Sequence, residues 1–202
     1  MKDHFINAAL EFRDDMPTAE KMWRELQENY SSRGRYYHTL DHLDAMLKEL
    51  IPFRNHFSNW SMVIFAIGYH DSIYNPRKND NEEKSAALAL ERLQSIDVPE
   101  HVITKCTHLI LATKKHEPGD HETNLFTDAD LSVLGSDRST YDLYAKNVRR
   151  EYSMYPDFLY RPGRRKVLQH FLNMERMFKT EEFASKFEKQ ARVNLGWELR
   201  GL

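Results

Sequence analysis

The stretch Ser61-Met62-Val63-Ile64-Phe65-Ala66-Ile67-Gly68-Tyr69-His70-Asp71-Ser72-Ile73-Tyr74 is the most apolar part of the chain. Its hydrophobic side chains surround the whole circumference of a helix, as in a helix buried through the middle of a domain. Its end breaks the pattern, because an ionised Asp71 beside His70 is costly there unless it is paired, hydrogen-bonded or bound to a cation. Gly68, about 1 kcal/mol worse than Ala inside a helix, stands just before this pair and would allow another element to approach the backbone closely.

Outward from this segment the apolar residues recur at helical spacing. Leu40, Leu43, Leu47 and Leu50 form one stripe; Val102, Cys106, Leu109, Ile110 and Thr113 form a second; Tyr141, Tyr144, Ala145, Val148 and Tyr152 form a third. Val167, Leu168, Phe171, Leu172 and Phe178 continue the pattern, followed by Phe183, Phe187 and Ala191. Start signals agree with these stripes: Asp80 with Glu83 reads as a capping box, Pro99 as a first helical position, and Asp137 and Thr180 as N-caps. Strict alternation is sustained nowhere. With only seven Gly and seven Pro to make turns, the expected fold class is all-α, a single domain over residues 1–202 of roughly eight to ten helices.

Twenty-nine basic and 31 acidic side chains leave a formal charge of −2. That balance removes the overall positive field of a dedicated duplex-DNA or membrane-surface binder. The cluster Arg161 to Lys166 is the densest basic run, but nearby Asp157 and the neutral total make nucleic acid a minority reading. No run approaches the roughly 18 apolar residues of a membrane span, and the first residues carry no apolar signal region. With one Cys, an internal disulfide is excluded and a thiolate metal site is implausible. The expectation is a cytoplasmic protein without a membrane partner; nothing indicates its oligomeric state.

Ten His against one Cys leave nitrogen and oxygen as the available ligands. His38 and His42, in Arg33-Gly34-Arg35-Tyr36-Tyr37-His38-Thr39-Leu40-Asp41-His42, are four apart, which on a helix puts them on one face. That face lies away from the Leu stripe, so the pair reads either as a site or as two solvated side chains. Thr127-Asp128-Ala129-Asp130-Leu131 offers two carboxylates among apolar neighbours, as ligands or as helix caps.

The order His42, His70-Asp71, Asp130 resembles the HD superfamily of metal-dependent phosphohydrolases, all-helical proteins with the pattern H…HD…D. Tyr37-His38-x-x-x-His42 is similar to the paired-His motif of cyclic-nucleotide phosphodiesterases in that superfamily, and Ala129-Asp130-Leu131-Ser132 to their last metal Asp. His70-Asp71-Ser72-Ile73-Tyr74 followed by Asn81-Glu82-x-x-Ser85-Ala86 resembles the small bacterial proteins called predicted metal-dependent HD phosphohydrolases. The likeness extends to Phe187-Glu188-x-x-Ala191-Arg192-x-Asn194-Leu195, and so over nearly the whole chain.

The resemblance implies His42, His70, Asp71 and Asp130 as ligands of one or two divalent ions. Two imidazoles suit Mn, Fe, Ni, Co or Zn better than Mg. It implies hydrolysis of a small phosphate ester, nucleotide-like in class, by a metal-activated water. Asp71 would also orient the nucleophile or bridge to a second ion. His38 would protonate the leaving oxygen, or else hydrogen-bond to a ligand. His116, and less readily His108, are candidates for a second metal or for substrate; eight residues apart on the helix starting at Pro99, they are about 80° apart around it. Glu82 and Asp128 are candidates for orienting ligands, or for helix-start acids. Arg33, Arg35, Lys78 and Lys115 are candidates for phosphate, with Arg77 and Lys114 beside them, and Tyr36, Tyr37 and Tyr74 could stack on a base. Two other functions fit the same residues: a non-catalytic nucleotide-binding sensor, and an HD-type di-iron oxygenase that would draw on His108 and His116.

Overall fold

The computed structural model describes all 202 residues. It is all-helical, without strands, and its backbone contacts divide it into two compact units, Met1–Glu117 and Pro118–Leu202.

The first unit contains α1 (Lys2–Leu10), α2 (Met16–Tyr30), α3 (Leu40–Leu50), α4 (Trp60–Tyr69), α5 (Asn81–Gln94) and α6 (Glu100–Ala112). Helix α4 is its axis: every residue from Ser61 to Tyr69 is buried, and α1, α3, α5 and α6 all pack on it. Asn59 caps it by accepting from the Met62 amide at 2.8 Å. The approach that Gly68 allows is made by Phe5 and Leu26, whose side-chain carbons lie 3.0 and 3.1 Å from where a Cβ would stand. Phe5 also meets Phe65 and Tyr69 edge-on, with ring centroids 5.6 and 5.8 Å apart.

The second unit contains α7 (His121–Leu131), α8 (Arg138–Glu151), α9 (Asp157–Asn173), α10 (Glu181–Phe183) and α11 (Lys189–Gly201); a π-helical turn over Ala184–Glu188 joins the last two into one run. Side chains of that run hold the connecting chain. Glu188 accepts from the amides of Met177 and Phe178 at 3.0 and 3.1 Å. Arg192 donates to the carbonyls of Leu172, Met174 and Glu175 at 3.1, 2.9 and 2.9 Å, and Asn194 to those of Leu134 and Ser136, both at 2.9 Å. Gly135 lies against Phe187 so closely that a Cβ would stand 2.5 Å from its carbonyl oxygen. The Phe187-to-Leu195 motif is thus a clasp whose side chains satisfy backbone groups of the chain around it, that of Leu134 in a buried bond.

Several local expectations are corrected. Asp80 does precede α5, but its side chain makes no capping bond and pairs with Lys84 at 2.9 Å. Pro99 is the residue before α6 instead of its first. Thr180 precedes α10, yet gives its hydroxyl to Asp128 at 2.8 Å. Asp137 caps α8 as expected, accepting from the amides of Ser139 and Thr140 at 3.0 and 3.1 Å. Val167 is 45% exposed and leaves its stripe; Leu168 is buried. In the basic cluster Arg164 turns inward, where Glu198 takes its Nε and Nη2 at 2.7 and 2.9 Å, and Arg161 lies 3.3 Å from Asp157. No helix is long and apolar enough to cross a membrane.

Candidate metal centre

Helix α4 ends at Tyr69, and His70-Asp71 form the turn that follows it. His70 is buried, and its Nδ1 lies 2.9 Å from the carbonyl of Ile67. A carbonyl only accepts, so this nitrogen carries the proton, and in the neutral ring Nε2 keeps its lone pair. That Nε2 lies 3.2 Å from Nε2 of His42 and 3.2 Å from Oδ2 of Asp71. His42, buried on α3, has its Nδ1 3.2 Å from the Tyr37 hydroxyl.

One ligand atom from each of His42, His70 and Asp71 lies within 4.8 Å of the others. The Tyr37 hydroxyl can donate to His42 Nδ1, and with His42 Nε2 unprotonated the two nitrogens and the carboxylate turn lone pairs toward one point, where a cation offsets their repulsion. The donor set therefore fits a divalent first-row ion, and each imidazole already has the outer partner that fixes such a ligand.

The sequence misplaced both His on the α3 side. His38 does not share a helical face with His42: the helix starts at Leu40, with Thr39 before it, and His38 sits in the preceding bend. It still reaches the site, 3.9 Å from Asp71 Oδ2 and packed on Tyr74 at 4.3 Å between ring centroids. Nor does His42 lie away from the Leu stripe; it is buried on one face with Leu43, Met46, Leu47 and Leu50.

Arg35, expected at phosphate, is 8% exposed. Its Nη1 donates to the carbonyls of Asp71 and His38 at 2.7 and 3.2 Å, and its Nη2 to that of Ser72 at 2.8 Å. These bonds satisfy carbonyls of the turn after α4 and of the bend before α3. Arg33 and Lys78 are exposed, Lys115 is an exposed side chain 3.7 Å from Glu117, and the Lys114 ammonium is taken by Glu83 and the Asn79 carbonyl. Glu82, in the first turn of α5, lies 3.9 Å from Lys114.

His108 is an exposed residue of α6. His116 lies beyond that helix, which ends at Ala112, in the left-handed region with φ 52°; the expectation that both share one helix is overturned. Neither joins the three clustered groups. Cys106 is buried, and burial pushes its thiol well above the ordinary range, so no thiolate is on offer.

Asp130 lies on α7 in the second unit, half-buried. Asp128, expected to orient it or cap its helix, is fully buried and turned elsewhere. It accepts from the amide and ammonium of Lys179, both at 2.9 Å, and from the amide and hydroxyl of Thr180 at 2.7 and 2.8 Å.

Residues given no role in the sequence analysis hold the turn in place. Tyr30 accepts from the Asp71 amide at 3.2 Å. The Ser85 hydroxyl accepts from the Ile73 amide at 3.1 Å. Asn81 accepts from the Asn75 amide at 3.0 Å and donates to its carbonyl at 3.1 Å. Asn81 and Ser85 were visible as part of a motif, whereas Tyr30 carried no signal at all.

Compared with known proteins, the chain matches no family model, and no curated protein or solved structure is significantly similar to it.

Proposed function

We propose that the protein is a metal-dependent hydrolase of a small phosphate ester, nucleotide-like in class. The observation that carries this reading is the convergence of one ligand atom each from His42, His70 and Asp71 within 4.8 Å, on buried or half-buried side chains, with His42 Nε2 and Asp71 Oδ2 each 3.2 Å from His70 Nε2. The H…HD…D order of the sequence agrees with it. A divalent ion bound there would supply Lewis-acid activation of water and neutralise phosphoryl charge.

The chain's own groups supply the rest. His70 is held as an Nε2 donor by the Ile67 carbonyl, and His42 is oriented by Tyr37. Asp71, with one oxygen toward His70, has its amide and carbonyl fixed by Tyr30 and Arg35. His38, 3.9 Å from Asp71, is the group to hand a proton to the leaving oxygen; His titrates near neutrality and can both hold and release it. Exposed Arg33 and Lys78 are the candidates to meet the remaining phosphate charge. The oxygenase alternative would draw on His108 and His116, which are not among the clustered groups.

Elemental analysis of the purified protein, joined to a phosphatase and phosphodiesterase panel with Mn, Fe, Co, Ni and Zn, tests the reading. The expected result is a bound divalent ion and metal-stimulated turnover, both lost in Asp71→Ala with the helical circular dichroism retained. Metal titration of Asp130→Ala tests the fourth ligand implied by the resemblance. Bound nucleotide without turnover would favour a sensor. A protein that binds none of these ions and turns over nothing overturns the reading.

A further inference from the structure

Arg35 has an unusual environment for a cation. It is 8% exposed, and its guanidinium carbon lies 4.8 Å from the Tyr30 ring centroid and 5.3 Å from that of Tyr74. Its two terminal nitrogens serve three carbonyls, those of Asp71 and His38 at 2.7 and 3.2 Å and that of Ser72 at 2.8 Å.

Those carbonyls belong to two segments more than 30 residues apart in sequence: the bend that leads into α3, and the turn that follows α4. The first segment brings His38 and, four residues on, His42. The second is the His70-Asp71 turn itself. One planar fork therefore spans both halves of the candidate metal centre, and its two aromatic neighbours touch the same halves: Tyr30 accepts from the Asp71 amide at 3.2 Å, while Tyr74 packs on His38. Three carbonyls at fixed angles match a rigid guanidinium. The ammonium of Lys, a point charge on a flexible stem, reaches one or two of them at most and without the planar geometry.

We propose that Arg35 is a positioning residue that sets the separation of the His38/His42 segment from the His70-Asp71 turn, and thereby the geometry of the metal centre. It acts through the backbone carbonyls it holds. This role rests on the reading of His42, His70 and Asp71 as ligands, and it gives Arg35 a different task from the phosphate contact expected in the sequence.

The test uses Co²⁺ as the probe and the full chain, wild type and Arg35→Lys, with visible absorption reporting ligand geometry and titration reporting affinity. Arg35→Lys keeps the charge and all three clustered groups. Its Co²⁺ affinity is expected to fall about 10- to 100-fold, as for other outer partners of metal ligands, with altered d–d bands and an unchanged far-ultraviolet spectrum. In Arg35→Ala, added methylguanidine should restore the wild-type bands by occupying the space between Tyr30 and Tyr74.

Wild-type affinity and bands in Arg35→Lys overturn the proposal, as does a failure of methylguanidine to restore the bands of a folded Arg35→Ala. If both variants fail to fold, with or without methylguanidine, the role is general to the fold and the proposal is again overturned. A wild-type protein that binds no Co²⁺ overturns the metal-centre reading instead, so the two failures are distinguishable.

Discussion

Asp128 gives the sharpest prediction about the second unit. Its side chain is fully buried and pairs with Lys179, whose own side chain is only 8% exposed. Its two oxygens accept four bonds between 2.7 and 2.9 Å. Asp128→Ala removes one partner of a buried ion pair, for which the usual cost is about 3–5 kcal/mol. It also strips the Thr180 amide and hydroxyl of their acceptor, at about 1–3 kcal/mol for each group that water cannot reach. A loss of at least about 5 kcal/mol is expected, a large fraction of a total stability of about 5–15 kcal/mol.

Replacing Lys179 as well separates the causes. In Asp128→Ala/Lys179→Met the stranded ammonium is gone while the amides remain unsatisfied, so about 1–2 kcal/mol should return. The three Trp lie at 23, 60 and 197. A Trp23→Phe/Trp60→Phe background leaves Trp197 of α11 to report the second unit during urea unfolding, with circular dichroism at 222 nm following the whole chain. A single-variant loss under about 1 kcal/mol, or a double variant no more stable than the single, would refute the burial argument.

Gly68→Ala sets helix propensity against packing. Propensity alone predicts a gain of about 1 kcal/mol, but the new Cβ meets Phe5 at 3.0 Å and Leu26 at 3.1 Å, both fully buried. Overpacking at about 1–3 kcal/mol outweighs the gain, so the melting temperature should fall; a rise would show that α1 and α2 give way freely. Asp137 offers a pH test. The hydroxyls of Ser139 and Thr140, with the Thr140 amide, hold its carboxyl down at about 2. The folded value lies below the unfolded one, so its contribution is present above about pH 4 and is lost as the pH falls through about 2. Carboxyl chemical shifts should show that low midpoint, and an ordinary midpoint near 4 would sink the capping account.

The helical class was legible because it is a local property. Stripes at helical spacing, scarce Gly and Pro, and one all-apolar segment are written in neighbouring residues, and α4 with its close-packed Gly68 follows directly from them. His70-Asp71 stood out for a similar reason, as a polar pair on an apolar helix with no local way to be satisfied. The His38–His42 spacing misled because it presumed a helix that begins only at Leu40; a spacing rule holds only inside the element it assumes.

What a side chain at 35 or 128 does depends on which carbonyls and amides come near it, and those belong to residues 36 and 51 positions away. By itself the sequence determined the helices, the apolar axis and the residue types fit to bind a metal. Only the tertiary structure decided that His42 and His70 face each other at 3.2 Å, that Arg35 holds backbone carbonyls and Asp128 meets Lys179, and that His116 falls beyond the helix that carries His108. Helix formation is paid for within a few residues, whereas desolvating a charge has to be offset by whatever partner the folded chain brings to it.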